Sequence, residues 1–95
     1  MPAYLVSETE VTDPETYARY RAHAPAVIAA HGGRFLVRGG AIDAKEGDPP
    51  AGRVVVIEFP DMAAARRFYD STEYRAILPW RHAASRGRLY LVEGV

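Results

Sequence analysis

Arg53–Phe59, seven residues with the sequence RVVVIEF, determines how this chain of 95 residues folds. Its β-branched residues predict a β-strand, and because successive side chains point to opposite faces, both faces of the strand are apolar. A strand of this kind needs cover on both sides. The chain's own helices can cover one side, and we expect a second copy of the chain to cover the other. This strand therefore predicts a homodimer.

The composition argues against several classes of protein. Twelve Lys and Arg residues balance twelve Asp and Glu residues, so no net charge attracts a phosphate backbone or an anionic membrane, and we expect neither as a partner. The absence of cysteine excludes disulfides, thiolate nucleophiles and cysteine-built zinc sites. Met1–Val6 has no basic residue, acids follow at Glu8 and Glu10, and no apolar run reaches membrane-spanning length. We therefore expect a soluble cytoplasmic protein.

Capping residues and periodicity predict the other elements. Alternating polarity indicates strands at Tyr4–Val11, Arg34–Arg38 and Arg88–Glu93. A first helix is expected from the cap Asp13 to His31, where two glycines follow.

A second helix is expected from the cap Asp61 through Ala63–Tyr69, with a further turn or two capped by Ser71 or Thr72. Pro25 should kink or split the first helix, and Pro79 should disturb the last one.

The element order β-α-β-β-α-β is that of the ferredoxin-like α+β fold, with both helices on one side of an antiparallel sheet. The stretch Asp43–Gly52 contains GDPP and is predicted to be an exposed loop between the second and third strands. We find no internal repeat and no second domain, so residues 1–95 form a single predicted domain.

Motifs spread over the whole chain resemble those of the domain of unknown function 1330 family. They are Val11–Glu15 with Tyr17 and Tyr20, Ala30–Leu36, Arg38–Gly40, Val55–Pro60, Phe68–Tyr69, Glu73–Tyr74 and Gly87–Leu89. The chain follows the family least closely at Pro49–Pro50 and at Pro79–His82.

The resemblance implies a ferredoxin-like fold that pairs as a dimeric α/β barrel, and it implies no reaction. Similar barrels include cofactor-independent monooxygenases, small isomerases and lyases, and proteins that only bind ligands, so the fold alone does not select a chemistry.

Charged residues on two neighbouring strands form the first candidate site. Strand alternation predicts that Arg34, Leu36 and Arg38 share one face, as do Val54, Val56 and Glu58. If the two faces coincide, two guanidiniums and a carboxylate lie together on an aliphatic surface. Such a group forms either a structural Arg–Glu pair or a site for an anionic ligand, with Glu58 as acid or base.

His31 is the second candidate, because its ordinary pKa lies near neutral pH and it is expected beside Arg34 at a helix end. Its alternative role is structural, as a helix-terminal histidine bonded to a backbone carbonyl. The three histidines, at 23, 31 and 82, offer no i, i+4 pair, which argues against a metal site.

Aromatic residues are numerous and either line a pocket for a planar substrate or fill the core, and Tyr74 is among them. We therefore predict a pocket for a small organic anion bearing a carboxylate or an enol. His31 and Glu58 are the candidate catalytic residues, and Arg34, Arg38 and Tyr74 the candidate substrate-binding residues.

The chain has no Gly-rich phosphate loop, which favours chemistry without a cofactor, by protons and electrostatics. The alternative is a non-catalytic ligand-binding or regulatory module whose Arg–Glu pairs serve dimer specificity. An arginine without an acidic partner in the pocket would favour the first hypothesis, and a fully paired, closed cavity would favour the second.

Overall fold

The third strand, β3 (Arg53–Phe59), has the predicted bounds in a computed structural model that describes residues 1–95. Its sheet has the order β2-β3-β1-β4, and every neighbouring pair is antiparallel. The other elements, in chain order, are β1 (Ala3–Val11), α1 (Pro14–Ala30), β2 (Arg34–Arg38), α2 (Met62–Asp70), α3 (Thr72–Ala84) and β4 (Ser85–Glu93). The chain has the predicted ferredoxin-like α+β fold, with the second helical segment divided at Ser71.

The register of β1 separates the two faces of the sheet. Its odd-numbered side chains from Ala3 to Thr9 are buried, and the even-numbered ones are half-buried. Because Leu5 pairs with Ile57 and with Leu91, the core face continues into β3 and β4. The helices pack on this core face, and we call the opposite one the outer face.

Side-chain caps start all three helices. Asp13 accepts a hydrogen bond from the backbone N–H of Thr16 at 3.3 Å, and Asp61 accepts one from Ala64 at 2.7 Å. Ser71 accepts one from Tyr74 at 3.1 Å, which confirms Ser71 rather than Thr72 as the cap of α3. Each side-chain oxygen accepts a hydrogen bond from a backbone N–H group that has no partner within the helix.

The two internal prolines do not break their helices. α1 runs unbroken through Pro25 and α3 through Pro79, so of the two effects predicted for Pro25, a kink or a split, the split does not occur. A proline removes one backbone donor, and side-chain packing on the core face holds the helix beyond it. None of the three helices has the length and apolar character needed to cross a membrane.

The start of β4 differs from the prediction, and the long loop agrees with it. β4 begins at Ser85, three residues before the predicted start, and includes Gly87 with φ +147°. Residues 39–52 contain no helix or strand, as predicted for Asp43–Gly52. This loop leaves the sheet between the end of β2 and the start of β3.

Candidate functional site

A pocket with a volume of about 50 Å³ lies between α1 and the core face of the sheet. It is several times larger than the roughly 10–15 Å³ that a single water needs by the same measure. Eleven of its 17 lining residues are hydrophobic. The residues that carry its polar chemistry are Ser7, Tyr20, Arg21, Arg38, Arg53, Tyr74 and Arg81.

Arg81 is the most deeply buried charged residue, with 8% of its surface exposed. Its guanidinium donates hydrogen bonds to Thr9 Oγ1 at 3.2 Å and to Ser7 Oγ at 3.4 Å. The two hydroxyls also bond each other at 2.7 Å. No carboxylate forms an ion pair with Arg81. The buried cation is therefore held by neutral oxygens alone.

Two tyrosine hydroxyls form the other polar group of the pocket. Tyr20 Oη and Tyr74 Oη lie 2.8 Å apart, and the rings meet edge to face with centroids 6.1 Å apart. Burial raises the pKa of both phenols above its ordinary value, and the mutual proximity of the two hydroxyls raises that of Tyr20 further. Both hydroxyls therefore stay protonated at neutral pH, and one of the two O–H groups remains able to donate outside the pair.

A β-bulge in β2 places Arg34 and Arg38 on opposite faces of the sheet. Arg34 pairs with Glu58 on the outer face, and the register shifts between Phe35 and Val37. The extra residue inverts the alternation, so Arg38 pairs with Val55 and lies on the core face. The expectation that Arg34 and Arg38 share one face is wrong.

Arg34 and Glu58 bond each other instead of facing the pocket. Arg34 Nε donates to Glu58 Oε1 at 2.8 Å, with 72% of the arginine side chain and 25% of the glutamate side chain exposed. Of the two roles considered for this pair, the geometry matches a cross-strand ion pair. The acid–base role of Glu58 and the ligand-binding role of Arg34 stay predictions.

His31 lies at the C-terminal end of α1, as expected. Its Nδ1 is 3.0 Å from the carbonyl oxygen of Val27, and its ring meets the edge of Phe68 with centroids 5.9 Å apart. Phe68 lines the pocket and His31 does not. The catalytic role predicted for His31 therefore remains a prediction, without direct access to the pocket.

Arg38 and Tyr74 are the two predicted site residues that the fold brings to one pocket. The Arg38 guanidinium lies 4.3 Å from the centroid of the Phe35 ring, which holds it at the wall. Their role in substrate binding stays a prediction.

Sequence reasoning missed Arg81, although a signal exists. Tyr74, Ile77, Leu78 and Ala84 form the buried stripe of α3, and Arg81 lies on the same stripe at helical spacing. A charged residue within an apolar stripe is either paired or functional, and that pattern is visible before folding.

A family model described as Domain of unknown function (DUF1330) matches residues 2–95. The chain belongs to the DUF1330 family. A comparison with curated proteins finds no match.

Solved structures similar to this DUF1330 chain share its fold. A protein of unknown function from Rhodopseudomonas palustris, RPA0582, has a TM-score of 0.79 at 21% identity, covering 99% of this chain and 82% of that one. SnoaB, a cofactor-independent oxygenase from Streptomyces nogalater, has a TM-score of 0.70 at 21% identity, covering 99% and 93%. Rv0793 from Mycobacterium tuberculosis has a TM-score of 0.58 at 14% identity, covering 100% and 94%. At these identities the likeness establishes the fold and leaves the chemistry to the site.

Proposed function

We propose that this DUF1330 protein binds a small planar organic anion in the pocket between α1 and the sheet, with Arg81 as the buried cationic contact. The observation that carries the proposal is the burial of Arg81 without a carboxylate partner. Removing a guanidinium from water costs several kcal/mol, roughly, and hydrogen bonds to two neutral hydroxyls leave its charge without an opposite charge nearby. A carboxylate or enolate of the ligand would complete the pair.

The pocket lining favours a planar ligand. The rings of Tyr17, Tyr20, Phe35, Phe68 and Tyr74 contribute flat apolar walls. Aromatic walls with a few convergent polar groups are typical of sites for small organic molecules. The protonated Tyr20–Tyr74 pair can donate a hydrogen bond to a second oxygen of the ligand.

The pocket is better suited to holding an anion than to removing a proton. No histidine, aspartate or glutamate lines it, so it offers no general base with a pKa near neutrality. A reaction suited to this lining starts from a ligand that has lost its proton to solvent, such as an enolate, and the arginine stabilises the negative charge. SnoaB, which has a similar fold, is a cofactor-independent oxygenase. A purely ligand-binding module uses the same contacts without turnover.

Calorimetric titration with 1-naphthoate, and with its neutral analogue 1-naphthamide, tests the binding proposal. The wild type is expected to bind the carboxylate and to discriminate against the amide. Arg81→Met keeps the length of the side chain and removes the charge. We expect it to weaken carboxylate binding by about tenfold or more, since a hydrogen bond to a charged group contributes about 1.5–3 kcal/mol.

Arg66→Met is the matched control for that titration, because Arg66 is exposed on α2 and away from the pocket. Arg66→Met should bind 1-naphthoate with the affinity of the wild type. Equal affinity of wild type and Arg81→Met for 1-naphthoate would show that Arg81 is not the anion contact.

We also propose that the outer face pairs with a second copy of the chain. Tyr90 and Val92 of β4 are 44% and 45% exposed there, and Val54 and Val56 of β3 are half-buried on the same face, with β1 between the two strands. Ion pairs flank this apolar surface, with Arg88 bonded to Glu8 and Arg86 to Glu10. A self-complementary sheet surface of this kind fits a two-fold symmetric interface.

A further inference from the structure

Three further arginines line the pocket beyond Arg81. Arg21 comes from α1, Arg38 from the core face of β2, and Arg53 from the first position of β3. Arg21 and Arg38 are exposed and Arg53 is half-buried, so they lie nearer to solvent than the buried Arg81. We call Arg21, Arg38 and Arg53 the outer arginines.

The outer arginines have no acidic partner, although the protein carries as many acids as bases. The protein has five ion pairs, and their cations are Arg34, Lys45, Arg75, Arg86 and Arg88. The neighbouring loop contains Glu46 and Asp48, and neither carboxylate bonds an outer arginine. Four cations therefore surround one pocket that has no acidic lining residue. A cleft lined by one sign of charge concentrates its field on a ligand of the opposite sign.

Packing holds two of the outer arginines at the wall. The Arg38 guanidinium stacks on Phe35, as described above. A Cβ on Gly39 would lie 2.9 Å from Arg53 Nη2, so the Arg53 guanidinium lies against the backbone of that glycine. Because ordering these side chains costs conformational entropy, a placement fixed before binding favours recognition.

A groove continues from the pocket past these residues. It is lined by Val11, Pro14, Tyr17, Ala18, Arg21 and Arg53, and it shares Tyr17, Arg21 and Arg53 with the pocket. Two outer arginines therefore lie where the pocket opens into the groove, which leaves room for a ligand group beyond the aromatic walls.

From this arrangement we propose that the ligand is an organic dianion, with one anionic group on Arg81 and a second on the outer arginines. The inference rests on the proposed function, because it places the first anionic group on Arg81. Because Arg81 is buried and the outer arginines lie nearer to solvent, we place the two anionic groups at different depths of the pocket. The ligand class is a planar dicarboxylate, or a ring that carries one carboxylate and one further anionic group.

Titration with terephthalate and with 4-carbamoylbenzoate tests this inference, because the two probes have the same shape and differ by one negative charge. Isophthalate and phthalate, with their monoamides, cover shorter separations of the two groups. We expect the best dicarboxylate to bind the wild type about tenfold or more tightly than its monoamide, as expected for a charge-assisted hydrogen bond. Arg21→Gln, Arg38→Gln and Arg53→Gln should each reduce this ratio, and the triple variant should bring it close to one. Arg66→Gln, on the exposed face of α2, should leave the ratio unchanged.

The outcomes separate the two proposals. If dicarboxylates and monoamides bind equally and Arg81→Met weakens both, the second anionic site is refuted and the proposed function stands. If a ratio above one survives in the Arg21→Gln/Arg38→Gln/Arg53→Gln triple variant, the outer arginines are not its origin. If none of these anions, including 1-naphthoate, binds the wild type, the proposed function fails and the dianion inference fails with it.

Discussion

Arg81 combines deep burial with a charge that no acidic residue balances. An arginine placed for stability alone would be expected to have a carboxylate partner or to extend its head group to water. Here its guanidinium donates hydrogen bonds only to Ser7 and Thr9, and those two hydroxyls already bond each other. Burying Arg81 therefore costs desolvation free energy that no ion pair within the protein offsets. This pattern is expected of a residue that binds a ligand.

Arg81→Met should separate binding from stability. We expect its free energy of unfolding to stay within about 1 kcal/mol of the wild type or to rise, because an apolar side chain of similar length replaces an unbalanced charge. Urea denaturation measures this change. Ile77→Ala, at a buried position of the same helix, is the reference for a core residue and should lose about 2–5 kcal/mol. A comparable loss in Arg81→Met would make Arg81 a structural anchor.

The Tyr20–Tyr74 pair predicts a stability change at alkaline pH. The pKa of each phenol is raised in the folded state, so the stability it contributes is present below pH 10 and is lost as the pH rises through the folded pKa. Above about pH 10 the unfolded chain releases protons that the folded chain keeps, and the free energy of unfolding falls by up to about 1.4 kcal/mol per pH unit for each tyrosine.

Denaturation of the wild type and of Tyr20→Phe/Tyr74→Phe between pH 8 and 11 checks this slope. The double variant removes both titrating groups together, so neither hydroxyl is left unpaired. Its stability should depend less on pH than that of the wild type. Parallel curves for wild type and double variant would contradict the burial of this pair.

At the scale of elements, two local irregularities shape the site. The bulge in β2 moves Arg38 from the outer face to the pocket, and without it the pocket would lose a cation. At the start of β4, Gly87 pairs with Thr9 and has φ +147°, a backbone conformation open to glycine and strained for other residues. This glycine lets β4 pass close to the backbone of β1 beside the Arg81 contacts.

Gly87→Ala should destabilise the protein by about 1–3 kcal/mol from backbone strain, with an added cost because the new Cβ would meet the carbonyl oxygen of Glu8. The matched control is Gly40→Ala, where the added methyl group meets no atom within 4 Å and φ is not positive. That control should be neutral or slightly stabilising. Thermal unfolding of the two variants measures both effects, and equal melting temperatures would argue against the strained backbone at Gly87.

At the scale of the whole molecule, the chain is a two-layer slab whose extents are 34 × 31 × 16 Å. Helices cover the core face, and the outer face keeps apolar residues at the surface, among them Val37, Tyr90 and Val92. An exposed apolar sheet face of this kind marks an interaction surface. The proposed dimer would cover it and leave the pocket, on the other side of the sheet, open to ligand.

Val56→Glu tests the dimer, since Val56 lies on the outer face between Val6 and Val37. A carboxylate buried there without a partner costs about 3–5 kcal/mol, which weakens self-association by about 100-fold or more. Sedimentation equilibrium should show a dimeric wild type and a monomeric Val56→Glu. Ala63→Glu adds the same charge to the exposed side of α2 and should remain dimeric. A monomeric wild type would refute the proposed pairing.

The sequence by itself determined the architecture of this protein. The doubly apolar β3, the caps Asp13, Asp61 and Ser71 and the glycines after α1 act within a few residues of chain, so their consequences can be read locally. The family motifs point to the same fold. Together with the alternating polarity of the other three strands, these features predicted all four strands, the two helical segments and the ferredoxin-like order.

Only the tertiary structure decided the site. A single-residue bulge inverted the side of the sheet on which Arg38 lies, and no local signal within RFLVR marks it. Arg34 and Glu58 became an ion pair, while Arg81 met Ser7 and Thr9 from more than 70 residues away. Which charges are balanced depends on contacts between distant strands and helices, and those contacts exist only after the chain has packed.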